Sequence, residues 1–367
     1  MHILRAGPFN NLKTIVMSLK SSLFRSALLT LYKTGLYGLS PRSLSGVGIV
    51  FMLHRVRPSP ETNGFAPNAL LEITPQYLNA VLTTVSALDY DLVSMDEAHR
   101  RLQQQRFDRK FAVFSLDDGY KDNLEFAAPI FAKHQAPFTV YLSSGMPDGT
   151  LDLWWMGLEA AIRTKSELCW GWAGTKYELV MDSTEQKQNA FETLYWPLRN
   201  LPELDQRIAI RDLARHCGVD MRQLTRDCAL TWAEARELSN HAYCSLGAHT
   251  VDHFALSKLS ETESRRELVE GADRIKQETG NWPRHLAFPY GDSGSAGPRE
   301  YELAQFLGFD TAVTTQKGFL TEAHGINPYA IPRLSLNGDY QDLRMLEVLM
   351  SGMPFALASL LPSVETA

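Results

Sequence analysis

Two adjacent carboxylates, Asp117 and Asp118, follow the apolar run Phe111–Leu116 in the stretch Ser-Leu-Asp-Asp-Gly-Tyr. Successive side chains leave a strand on opposite faces, so the two need not share one role. One carboxylate can hold a cation while its neighbour, close to that charge, stays ionised as a base. Asp-Gly after a strand is also an ordinary solvated turn. The second candidate is His249-Thr250-Val251-Asp252-His253, directly after Leu246-Gly247-Ala248. Histidines four apart lie on one face of a helical turn and can reach one metal. A metalloprotease helix needs Glu after its first His, and Thr250 stands there instead. Asp plus two His leaves a coordination position open for water. The third candidate is Ala287–Asp292, reading AFPYGD. Its Pro-Tyr-Gly turn would aim backbone N–H groups at a developing oxyanion.

These three stretches together resemble the polysaccharide deacetylase family, carbohydrate esterase family 4. Ser115–Tyr120 is similar to the family's first motif, His249–His253 with Leu256 and Leu259 to its second, and Phe288–Gly291 to its third. The resemblance spans roughly residues 46–340. It implies a distorted (β/α)7-type barrel and a metal-dependent hydrolase that removes N-acetyl groups from an N-acetylhexosamine-containing poly- or oligosaccharide, releasing acetate. By the same resemblance Asp117 is the general base, and Asp118, His249 and His253 hold a divalent metal, Zn²⁺ being expected. Tyr290 gives its backbone N–H to the oxyanion hole.

The sequence departs from the family pattern twice. The Arg that often precedes Pro-Tyr is replaced by Ala287 and Phe288, and Arg333 is expected to orient the base in its stead. The late Leu-x-His that supplies the acid is missing, since Ile331–Asn337 reads IPRLSLN. Expulsion of an amine from a tetrahedral intermediate needs a proton donor. His54, ending the run Val47–Leu53, resembles the N-terminal strand–His motif of the circularly permuted poly-N-acetylglucosamine de-N-acetylase branch. It is the expected acid. A barrel tolerates that permutation because its first and last strands are neighbours. His324, in a polar Gly-containing loop, is the rival.

Other chemistries fit less well. Gly291-Asp292-Ser293-Gly294 looks like the nucleophile loop of trypsin-like proteases, but the surrounding pattern is α/β rather than all-β. A two-His-one-carboxylate iron oxygenase uses the same ligands, on a jelly roll with His-x-Asp spacing. A binding protein that keeps the fold without turnover, and an O-acetyl esterase, stay as alternatives.

Elements that alternate position these residues. Val47–Leu53, Phe111–Leu116, Phe138–Leu142, Leu246–Ala248, Leu286–Phe288 and Thr311–Thr314 read as strands. Thr74–Asp89, Asp122–Gln135, Glu261–Thr279 and Pro298–Leu307 read as helices between them. That alternation predicts an α/β fold with mainly parallel pairing. The Trp-rich stretch at about 145–230 interrupts the rhythm and reads as a mostly helical insertion or lid. Its tryptophans could stack on sugar rings, though core packing is the commoner fate. Residues 1–45 read as a basic amphipathic helical extension, 46–345 as the barrel, and 346–367 as a tail with one amphipathic stretch.

Composition narrows the remaining classes. The 367 residues are 44% hydrophobic and 21% charged, which excludes a disordered or low-complexity chain. Net charge is −6, so no global basic field suggests nucleic acid. Yet the first 60 residues hold no Asp or Glu and eight basic residues, from Arg5 to Arg57. Residues 12–38 are expected to touch an anionic membrane surface or pack on the domain. The four cysteines form no CxxC pair and fit a reducing compartment. With no recognisable export signal, a cytoplasmic location is expected, peripheral at the inner membrane.

Overall fold

Parallel strands buried on both faces read as continuous apolar runs, and the structure builds its centre from such runs. The structure is a computed structural model that describes residues 2–5, 10–59 and 64–359. Numbering only the barrel strands, β1 is Gly48–Leu53, β2 Phe111–Leu116, β3 Phe138–Leu142, β4 Cys244–Ala248, β5 His285–Ala287, β6 Thr311–Lys317 and β7 Ile331–Ser335. Each pairs parallel with the next, and β7 returns to β1 through Leu334 opposite Phe51 and Ser335 opposite Met52. The result is a closed seven-stranded parallel barrel in sequence order.

Strand alternation sorts the side chains. Val50, Val113, Tyr141, Ala287, Val313 and Ile331 form one buried cluster. Ile49, Phe51, Leu53, Ala112, Phe114 and Leu116 belong to another, packed under the flanking helices. Ser115 and Asp117 continue the parity of Val113, and Arg333 that of Ile331, so these polar groups fall on the first cluster's side. β7 carries no sequence signature of a core strand, because Pro332 and the fully buried Arg333 break its apolar run.

In chain order the helices are α1 Asn10–Thr34, α2 Pro75–Ala87, α3 Met95–Gln104, α4 Ala128–Lys133, α5 Trp154–Arg163, α6 Thr184–Asn200, α7 Glu203–Cys217, α8 Met221–Cys228, α9 Trp232–Ser239, α10 Glu261–Thr279, α11 Pro298–Phe306, α12 Leu343–Met350 and α13 Met353–Ser359. The Thr74 side chain caps α2 and a Ser260–Glu263 capping box opens α10. The helix expected over 122–135 starts with a π-helical turn, Asn123–Ala127, before α4. Helices α5 to α8 lie between β3 and β4 and enclose their own apolar core around Trp154, Leu158, Leu194 and Ile210.

Two sequence expectations gain detail here. The Trp-rich stretch is mostly helical, as expected, but not throughout, since Glu167–Trp172 and Thr175–Val180 form an antiparallel hairpin. Leu168, Trp170 and Trp172 alternate with exposed Glu167, Cys169 and Gly171 along it, at the period of a strand rather than a helix. Nor is the N-terminal extension wholly helical, because His2–Arg5 adds a parallel strand to that hairpin. Helices α12 and α13 fill the tail's amphipathic stretch, and residues 360–367 lie outside the described residues.

Candidate active site

All the sequence-selected residues except His324 converge on the C-terminal edge of the barrel, where open α/β folds collect their chemistry. A cavity of about 350 Å³ opens there, lined by His54, Asp117, Asp118, His249, His253 and Tyr290 among others. His324 instead sits in a 3-10 turn, Glu322–Gly325, that packs on α3. Its Nδ1 faces the Thr321 amide at 2.9 Å.

Asp117 stands at the end of β2 and is 2% exposed. Arg333 grips it with both arms of the guanidinium, Nη1 to Oδ1 at 2.8 Å and Nη2 to Oδ2 at 2.7 Å. Arg333 is itself oriented, donating Nε–H to the Thr314 carbonyl at 2.8 Å and Nη1–H to Ser115 Oγ at 3.1 Å. Burial pushes the Asp117 carboxyl up, but the guanidinium outweighs it and holds the group below the ordinary carboxylate value. Asp117 is therefore ionised at neutral pH, with a lone pair left on each oxygen.

Asp118 turns the other way. The Gly119 N–H bonds the Asp117 carbonyl at 3.0 Å, a γ-turn centred on Asp118 at φ 76°. Gly119 has φ 99°, and a Cβ there would lie 2.1 Å from Leu142 Cδ1, so only glycine fits. His249 Nε2 and His253 Nε2 each come within 3.3 Å of Asp118 Oδ1. That oxygen is buried and makes no hydrogen bond. Ligand atoms of Asp118, His249 and His253 lie within 4.8 Å of one another. His249 Nδ1 sits 2.7 Å from the Ala287 carbonyl, which can only accept, so its proton is on Nδ1 and Nε2 keeps a free lone pair. A buried acceptor and imidazole lone pairs converging on one point are what a divalent cation needs, and the three residues fit one. Burial drives His253 down to about 4, so its ring is neutral.

The histidines do not reach this point from a helical turn, as their spacing suggests. Residues 249–253 are an irregular loop with Thr250 at φ 67° and His253 at φ 53°. Tertiary hydrogen bonds hold it there. Ser143 Oγ donates to the His249 carbonyl at 2.8 Å, and Glu267 on α10 accepts the amides of Val251 and Asp252 at 3.1 and 2.8 Å.

Tyr290 centres a second γ-turn, the Gly291 amide bonding the Pro289 carbonyl at 2.7 Å, with Tyr290 at φ 61°. Its own N–H has no hydrogen-bond acceptor among the described residues. The Tyr290 hydroxyl accepts from Trp154 Nε1 at 2.7 Å, and burial lifts its pKa to about 12.

His54 follows β1 and lines the same cavity. The chain around it is tied to the π-helical turn: Asn123 Nδ2 donates to the His54 carbonyl at 2.9 Å, and the Val56 amide to Asp122 at 3.1 Å. Buried Arg55 adds an ion pair to Asp122 at 2.7 Å.

Sequence reasoning missed Asp122, Asn123, Glu267 and the cavity wall on α6. The wall residues Gln188, Phe191, Glu192, Tyr195 and Trp196 recur every three or four positions, which is a helix face readable in advance. Of the tryptophans, Trp154 is core, buried Trp155 lines the cavity, and Trp196 lines it while 55% exposed.

Comparison with known proteins bears on this geometry. Residues 175–311, which include the His249–His253 loop and the Tyr290 turn, match the sequence model of the family described as Polysaccharide deacetylase. Over that stretch the chain is similar to a polysaccharide deacetylase domain. Solved structures similar to this chain include the deacetylase PplD of Streptococcus pyogenes, at TM-score 0.55 and 15% identity, covering 82% of this chain and 97% of that one. IcaB of Ammonifex degensii aligns at TM-score 0.51 and 16% identity, over 83% and 97%. A de-N-acetylase of Aggregatibacter actinomycetemcomitans aligns at 0.50 and 16%, over 82% and 99%. At these identities the likeness establishes the barrel fold. No curated protein matches the chain in sequence.

Proposed function

We propose that this hydrolase removes acetyl groups from the nitrogen of N-acetylhexosamine units in a poly- or oligosaccharide, with Asp118, His249 and His253 holding a divalent cation, Zn²⁺ by donor type. The observation that carries this is the pairing of a metal-ready Asp-His-His cluster with a second, differently held carboxylate beside it. A bound cation would polarise the acetamide carbonyl and acidify a water on it. Asp117, kept ionised and aimed by Arg333, accepts the proton of the attacking water at Oδ1 or Oδ2. The free Tyr290 N–H donates to the oxygen that becomes the oxyanion. His54, across the cavity, donates the proton that the departing amine needs. The wall of α6 and its exposed Trp196 suit a sugar ring's apolar face.

Acetate release from N-acetylchitooligosaccharides and from O-acetylated glycans, with chelated and Zn²⁺-reloaded protein, tests the reading. Metal-dependent acetate from the amide substrates is expected. Release from the esters alone makes the protein an esterase, and release unaffected by chelation removes the metal from the scheme.

We also propose that the acid-free N-terminal segment touches an anionic membrane surface from the cytoplasmic side. No described helix is long and apolar enough to cross a membrane. Leu23, Phe24, Leu36 and Leu39 are exposed on or just after α1, beside Arg25 and Lys33, and the four free cysteines suit a reducing compartment. The side chains of residues 12–21 lie outside the described residues. Co-sedimentation with phosphatidylglycerol vesicles at low salt, but not with phosphatidylcholine vesicles, is expected. Equal recovery with both lipids, or recovery with neither, contradicts it.

A further inference from the structure

A γ-turn with positive φ is a strained conformation for a residue bearing a Cβ, and it persists only where neighbours over-determine it. Tyr290 is held in that state from several sides. Thr315 Oγ1 donates to its carbonyl at 2.6 Å, and the Trp154 indole holds its hydroxyl. The remaining support comes from Arg199, on the last turn of α6. Its guanidinium carbon lies 3.7 Å from the centroid of the Tyr290 ring. Its Nη2–H donates at 2.7 Å to Ser295 Oγ, which in turn donates to Asp292 in the same loop. Arg199 is buried, and buried Glu203 sits 3.6 Å from Nη1, where it balances the charge. One arginine thus clamps both ends of the segment 290–295.

We propose that Arg199 is a positioning residue for the oxyanion-binding turn, so that the segment inserted between β3 and β4 supplies part of the catalytic machinery as well as the cavity wall. The inference rests on the deacetylase reading of Tyr290. The same helix carries the wall residues Phe191, Tyr195 and Trp196 one and two turns earlier. A sugar that presses on this wall therefore pushes on the element that sets the Tyr290 amide.

The test uses the full chain loaded with Zn²⁺ and compares Arg199→Met, Arg199→Lys and Ser295→Ala with wild type. Expected is a fall in kcat of roughly 10–100-fold for Arg199→Met, the cost of a reacting group misplaced by about an ångström, with KM and bound metal little changed. Arg199→Lys should recover much of the rate, because a cation is restored over the ring. Amides 290–293 should exchange hydrogen faster in Arg199→Met than in wild type. Unchanged kcat and unchanged exchange overturn the inference. So does a loss confined to the amount of folded, metal-loaded protein with normal turnover per loaded molecule. If Arg199→Met does not fold, Ser295→Ala decides by the same two readouts. If wild type itself releases no acetate, the deacetylase reading fails, and the exchange comparison alone judges the clamp.

Discussion

Asp117 and Asp118 are neighbours in sequence and opposites in environment. One is gripped by a guanidinium inside the barrel, and the other faces two imidazoles at its mouth. The buried Arg333–Asp117 pair is worth testing by removal of one partner, which leaves an uncompensated buried charge. Arg333→Met should destabilise the fold by about 3–5 kcal/mol, and adding Asp117→Asn should recover part of that loss. Denaturant melts of the four proteins of this cycle check it, and additive losses would mean that the pair is not coupled. His54→Ala should keep its metal and its melting temperature but lose about 10²–10⁴-fold in kcat, together with the alkaline limb of the pH–rate profile. Near-normal turnover in that variant, with His324→Ala impaired instead, would move the acid to the other side of the barrel.

At the scale of elements, the site is a set of strained turns braced by distant side chains. Asp118, Thr250, His253 and Tyr290 all have positive φ, and each turn is held from a different helix or strand. Glu267 on α10 is the brace whose chemistry is most easily read. Burial, reinforced by the nearby Asp252 charge, raises its carboxyl to about 7, against the opposing pull of the two amides that it accepts. Its folded value thus exceeds its unfolded value of about 4.5, so the folded state holds a proton that the unfolded chain has released. Stability should be highest below about pH 4.5 for this group alone and fall as pH rises to about 7. The loss is roughly 3 kcal/mol at most, from about 1.36 kcal/mol for each pKa unit. Glu267→Gln keeps an acceptor for both amides and should flatten that slope, melting above wild type at pH 8. A wild-type melting temperature that is level from pH 5 to pH 8 would contradict this.

For the whole molecule, closure of the barrel and binding of a cation are linked. The Asp118–His249–His253 cluster draws on β2 and β4 and exists only in the folded chain, so a cation that it binds stabilises the fold by mass action. With free Zn²⁺ at about a hundred times its dissociation constant, the gain should be roughly 2.7 kcal/mol. Scanning calorimetry should show that upward shift in wild type and its absence in His249→Ala. An equal shift in both proteins would place the metal elsewhere. The same closure makes β7 a neighbour of β1 and so lays Arg333 beside Asp117, 216 residues away in sequence.

Local patterns carried much of this protein in advance. Six barrel strands announced themselves as apolar runs, because strands buried on both faces tolerate little else. The helices at 75 and 261 were readable as helical stretches, and the structure closes each with a side-chain cap, at Thr74 and Ser260. The Asp-Asp-Gly and His-x-x-x-His stretches, through the family resemblance, pointed to Asp118, His249 and His253, whose ligand atoms the fold gathers within 4.8 Å of one another. Long-range structure decided the rest. Thr250 and His253 adopt left-handed backbone because Glu267 and Ser143 hold the loop, and nothing in the five residues themselves announces that. β7 hid behind Pro332 and Arg333, since a buried arginine looks like a surface residue until its carboxylate partner is known. Arg199 was equally silent. Its value lies in a contact with a ring 91 residues downstream, and only the packing of α6 against the Tyr290 turn creates it.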